Sequence, residues 1–300
     1  MWYACSVAKN CWFDPSPVSE PFELAAGVHI EPVPDWVKNE EAFEHLSWRQ
    51  REDIVNGQLA FSVRYSADAI GSYDPDWKGS RPMTVQAYAD EKFALAVFAL
   101  WLVKPSNLSS GIVLHFDNEG DPHSIRQASE QYAILINEGE DENVITRDDL
   151  QAGGKLLAAM LELPRDNALW TTIYMTLLAL RERRWELRYL LQWVALEALL
   201  GSQSPNETTF RLSQRIGLFL GENSAERRAM FKSAKDGYGW RSKIAHGGRL
   251  GKLKGEQSLA LSAVTEDILR RSFKKVLHDP HLMEIFCGKD RDNFLEELAF

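Results

Sequence analysis

Cysteine is scarce in this chain: three in 300 residues, Cys5, Cys11 and Cys287. An odd count makes no complete disulfide framework, and none of the three stands at metal-ligand spacing from another. Long apolar runs are missing too. The longest, FALAVFALWLV from Phe93 to Val103, is bracketed by Lys92 and Lys104 and has about half of the ~20 residues a bilayer span needs. The first residues, MWYACSVAKN, lack a basic start followed by a sustained apolar stretch, so no signal peptide is expected. His29, His45, His115, His123, His278 and His281 form no metal-ligand spacing with Asp, Glu or Cys. There is no internal repeat and no long low-complexity tract. These absences predict a cytoplasmic protein without membrane span, metal or cofactor.

What is present is a globular composition, 45% apolar, with enough length for one large domain or two ordinary ones. The net charge of -9 argues against nucleic-acid binding over the whole chain, but the charge is unevenly spread. Residues 1–164 hold 12 Lys and Arg against 26 Asp and Glu, residues 165–255 hold 16 against 8, and the last 45 hold 6 against 9. The basic third suits a polyanionic partner that the acidic regions would repel; its plain alternative is a set of solvated helix faces.

Residues 1–40, rich in proline and aromatics, read as irregular chain or a short strand or two. Helical composition over 39–56 is followed by LAFSVRYSADA, where Leu59, Phe61, Val63 and Tyr65 alternate as in a strand. Residues 71–82 read as a loop, 83–103 as a buried helix, IVLHF at 112–116 as a strand, and 129–136 as a short strand or helix. The acidic EGEDEN at 138–143 marks a domain boundary. Beyond it the pattern is helical: 148–163, then 166–200 as one helix or two broken at the ERR cluster, then FRLSQRIGLFLG. Ser224 is the expected cap of AERRAMFKSAKDGYGWRSKIAH, with Gly237 and Gly239 as interruptions and Gly247 and Gly248 as the stop. A helix at VTEDILRRSFKKVLH and one short final helix complete the chain. The expected class is mainly α, an all-helical domain over 148–300 preceded by a mixed α+β domain over 1–147 with a sensing or regulatory role. YLLQWVALEALL, 189–200, is apolar on more than one face, so it needs cover on two sides, either inside a bundle or from a second subunit.

The chemistry concentrates in YGWRSKIAHGG, 238–248. Arg241 can neutralise a phosphate with its fork of donors, and His246 can move a proton near neutral pH, together enough to handle a phosphodiester without metal. The same two residues near a helix end could instead cap carbonyls. Five positions rotate ~140° on a helix, so Arg241 and His246 share no face of it. Lys243 and Arg249 add charge. Trp240 and Tyr238 offer rings for base stacking or for the core. Glu197 is set to pair with Arg241 or Arg215, orienting the site or serving as a structural ion pair.

In the order WVALEALLG, FRLSQRIGLFLG and YGWRSKIAHGG, residues 165–280 resemble the ApeA-like branch of the HEPN superfamily of bacterial defence proteins. That family carries an Arg, four to six residues, then a His, matched here by Arg241 and His246. The resemblance implies an all-helical, metal-independent endoribonuclease working as a homodimer in anti-phage defence or stress response, with RNA as substrate and no cofactor. His246 would act as base or acid, and Arg241 would stabilise phosphate charge while the 2'-hydroxyl attacks phosphorus. Ser242 occupies the family's polar position, with a smaller side chain than the usual Asn or Asp. The competing expectation is a non-catalytic module of the same type that dimerises or binds RNA or another partner, with a ligand-sensing N-terminal domain.

Overall fold

The computed structural model describes residues 1–14, 20–39, 43, 46–73, 82–130, 144–165, 167–201, 208–247 and 255–298. Its strands are β1 Trp2–Lys9, β2 Trp12–Asp14, β3 Phe22–Ala25, β4 Val28–Pro32, β5 Leu59–Tyr65, β6 Ser109–Phe116, β7 Ile125–Glu130 and β8 Val144–Thr146. The helices α1 Trp48–Val55, α2 Ala67–Tyr73, α3 Pro82–Val103 and α4 Arg147–Leu161 accompany them. Six strands form one antiparallel sheet in the order β3-β4-β5-β1-β6-β7, and β2 pairs with β8 in parallel.

The expected irregular N-terminus is corrected here: β1 is an inner strand, with Cys5 opposite both Ser62 of β5 and Leu114 of β6. The prolines that suggested loop all fall after it. Its alternation puts Tyr3, Cys5 and Val7 into one core with Ile54, Ile112, Leu114 and Phe116, while Ala4 and Ser6 turn to the opposite face. There α3 packs, with Phe93 beside Phe61 and Asp90 bonded to His115 at 3.2 Å. Every residue of α3 from Phe93 to Leu102 is buried, as a run apolar all round requires.

The chain divides into Met1–Leu161 and Glu162–Phe300, so the boundary falls one helix later than the expected 147/148. The reason lies in two adjacent glycines of α4. A Cβ on Gly153 would lie 2.6 Å from Leu100 of α3, and one on Gly154 only 2.3 Å from the Leu24 carbonyl of β3. The bare backbone lets α4 press onto both elements, which ties it to the first unit. The expected acidic linker, 138–143, lies outside the described residues.

The second unit is helical throughout its described residues: α5 Ala168–Arg181, α6 Trp185–Leu200, α7 Thr208–Leu220, α8 Ser224–Ala245, α9 Gly255–His278, α10 Pro280–Cys287 and α11 Arg291–Glu297. The two-helix alternative holds for 166–200, since α5 stops at Arg181. The expected single final helix is two, α10 and α11. The cap of α8 is Asn223 rather than Ser224: its side chain accepts from Ala225 and Glu226 N–H, both at 3.0 Å. Nor do Gly237 and Gly239 interrupt α8, which runs unbroken past both. Gly237 is a packing gap, because a Cβ there would meet the Trp193 ring at 2.7 Å. No described helix is long and apolar enough to cross a membrane.

Candidate functional site

The site grows from the crossing of α6 and α8. Trp193 of α6 is fully buried and its ring meets Tyr238 edge-on, centroids 5.4 Å apart at 88°. Tyr189, one turn earlier, donates its hydroxyl to the Gly237 carbonyl at 2.8 Å. These contacts hold Tyr238 inward. Its hydroxyl donates to Glu197 Oε1 at 2.7 Å, and burial first, then the bonded Glu197, pushes the phenol up to about 12, so it stays a donor.

Arg241 stands one turn beyond Tyr238, and its Nη2 lies 3.1 and 3.2 Å from the two oxygens of Glu197. The guanidinium carbon sits 5.3 Å from the centre of the Tyr238 ring. Glu197 thus takes Arg241 rather than Arg215, whose Nε and Nη1 instead bond the Leu295 and Leu200 carbonyls at 3.0 and 3.3 Å. The Glu197 and Arg241 side chains are 26% and 24% exposed, and a pair this open stabilises a fold by about 1 kcal/mol or less. Its larger consequence is orientation. With Nη2 committed, Arg241 Nε is buried without a partner and Nη1 has none among the described residues.

His246 forms the C-cap of α8, with φ -92° and ψ 13°, its N–H turned back to the Ser242 carbonyl at 3.1 Å. Gly247 follows at φ +67°, the left-handed conformation that ends a helix at little cost for glycine. The imidazole is exposed and makes no hydrogen bond among the described residues. Ser242, half-buried, lies between the two candidate residues. Lys243 is exposed and its Nζ lies 4.1 Å from the centre of the half-buried Trp240 ring, a cation–π contact. Arg249 lies outside the described residues.

Arg241 and His246 are therefore near in sequence and unjoined in space: no hydrogen bond links them, and the helix turns them to different sides. Tyr238, weighed as a base-stacking ring or a core ring, is the latter, buried between Trp193 and Arg241. Its part in holding Glu197 was missed, although its i, i+3 spacing to Arg241 was a usable signal. Among the described residues no three His, Cys, Asp or Glu side chains gather as metal ligands. Comparison with protein families, with curated proteins and with solved structures finds no match to this chain.

Proposed function

We propose that this chain is a HEPN-type endoribonuclease acting in defence or stress response, with Arg241 and His246 as its catalytic residues. The observation that carries the reading is the last turn of α8, where a guanidinium clamped by Glu197 leaves Nη1 without a partner among the described residues and an exposed imidazole stands five residues on. In the proposed reaction the RNA 2'-oxygen forms a bond to the adjacent phosphorus and the bond to the 5'-oxygen breaks. The products are a 2',3'-cyclic phosphate and a free 5'-hydroxyl. His246 takes the proton from the attacking hydroxyl or delivers one to the leaving oxygen, and Arg241 balances charge on the non-bridging oxygens. Because the two do not meet within one chain, the proposal includes a homodimer, in which a two-fold axis sets two copies of the segment around one RNA. Cleavage of end-labelled RNA should leave cyclic phosphate ends and should stop when the scissile nucleotide is 2'-deoxy; cleavage of the deoxy substrate would refute this chemistry.

A second reading draws on Leu178 of α5 and Leu187 of α6, apolar side chains 49% and 43% exposed. They favour a helical module that binds a partner without cutting RNA. In that case Leu178→Glu with Leu187→Glu abolishes the biological effect, and Arg241→Ala with His246→Ala leaves it intact.

A further inference from the structure

The solvent face of α8 carries cations in register with His246. Eighteen positions separate Arg228 from His246, about five turns at ~3.6 residues each, so the two lie on one line along the helix. Lys232, Lys235, Gly239 and Lys243 fall within about 60° of that line on the same count. Arg228, Lys232, Lys235, Lys243 and His246 are all exposed, and none of the four cations forms an ion pair among the described residues. Arg228 is laid along the helix by a bond from its Nε to the Ser224 carbonyl at 3.1 Å. Two acids share this helix. Glu226 is drawn to its start, accepting from the Glu222 N–H and from Asn223, and Asp236 stands at the edge of the row. At Gly239 the row has no side chain, and a Cβ built there would meet nothing within 4 Å, so a ligand can lie directly on the helix.

We propose that this face of α8 is a track for the backbone of single-stranded RNA, about 27 Å long at ~1.5 Å per residue, ending at His246. The inference rests on reading Arg241 and His246 as an RNA-cleaving pair, and it adds Arg228, Lys232 and Lys235 as substrate-binding residues. Charge complementarity sets the occupant: a single row of cations without ion pairs among the described residues matches one phosphate strand. A duplex is bound across a groove between two strands, which one row does not span.

The test uses the intact chain and a fluorescent oligouridylate carrying 2'-O-methyl groups, which cannot be cleaved, titrated between about 50 and 200 mM salt. Each phosphate contact on a single strand contributes ~0.7 to the slope of log affinity against log salt. The variant Arg228→Gln, Lys232→Gln, Lys235→Gln should therefore lose about 2 from that slope, so that wild-type affinity falls about 20-fold more than the variant's over this range. The three side chains are exposed, so the variant should melt as wild type does. An unchanged slope, an absence of salt-dependent binding by wild type, or equal binding of a duplex through the same residues would overturn the track. The nuclease reading fails separately: His246→Ala that still cleaves unmodified RNA as wild type does, alongside a reduced slope in the triple variant, would leave the track standing without the catalytic pair.

Discussion

At the scale of single residues, the two candidate side chains of one motif are held differently. Arg241 is held and His246 is not: one is tied to Glu197 beneath a tyrosine, the other stands at an open helix end. Tyr238 is the residue through which this arrangement can be probed. Its phenol is raised from the usual 10.0 to about 12 by burial and by Glu197, so the neutral form is favoured in the folded state. The stability this brings is fully present below pH ~10 and is lost as the pH rises through about 12. Tyr238→Phe removes that ionisation, so between those values the variant should lose less stability than wild type in parallel denaturant titrations. The same substitution takes the hydroxyl from Glu197 and, with it, part of the restraint on Arg241. Equal losses for the two proteins would show that the hydroxyl has no raised pKa to release. The Glu197 pairing was half legible in the sequence, as one of two arginine choices. What decided it was the fate of Arg215, drawn off by the carbonyls of Leu200 and Leu295, which no local pattern signals.

At the scale of elements, glycines carry meanings opposite to those their propensities suggest. Gly237 looks like a helix breaker, and alanine there would ordinarily favour the helix by about 1 kcal/mol. Yet a Cβ at this position would press on the buried Trp193 ring at 2.7 Å, and overpacking of that kind costs about 1–3 kcal/mol. Over most of that range the steric term wins, so Gly237→Ala should lower stability by up to ~2 kcal/mol, read from denaturant midpoints. A stabilised variant would mean that Trp193 has room to move. The ends of the helices are also informative. The last carbonyls of α6 are met by Arg291, which bonds Leu199 at 3.2 Å and Gly201 at 3.0 Å, and that of Leu220 in α7 is met by Arg271 at 3.3 Å. Arg215 meets the Leu200 carbonyl as well, so part of the basic excess of residues 165–255 is structural, as are these two arginines of the acidic tail, closing carbonyls that helices leave open. The row on α8 is a part that faces solvent. Helices with strong apolar runs, α3 and α6, were legible because burial follows from composition. Strand β1 was not, since eight residues beside prolines signal little until β5 and β6 supply their pairing.

At the scale of the whole molecule, the chain is mixed but mainly helical, its described residues forming a six-stranded antiparallel sheet with helices in one unit and seven helices in the other. The position of the boundary is a statement about α4. Its buried Leu150, Leu156, Leu157 and Met160 are worth about 1.5–3 kcal/mol each when removed from water, together comparable to the ~5–15 kcal/mol that holds a domain folded. A fragment of residues 1–161 should therefore melt cooperatively and resist protease, while residues 1–147 should not fold. Equal folding of both would return the boundary to the acidic stretch. That stretch misled because charge density is visible in sequence, whereas the glycine pair that seats α4 becomes meaningful only beside Leu24 and Leu100.

The central claim is that Arg241 and His246 together cut RNA, and cleavage by the purified full-length chain in excess chelator tests it most directly. Wild type, Arg241→Ala and His246→Ala are compared on the same labelled transfer and messenger RNAs. Loss of one transition-state donor costs about 10²–10³ in rate, so wild type should cleave and each variant should be slower by at least ~100-fold with an unchanged melting curve. Wild-type cleavage that survives both substitutions, or no cleavage by any of the three, would contradict the account and favour the partner-binding module.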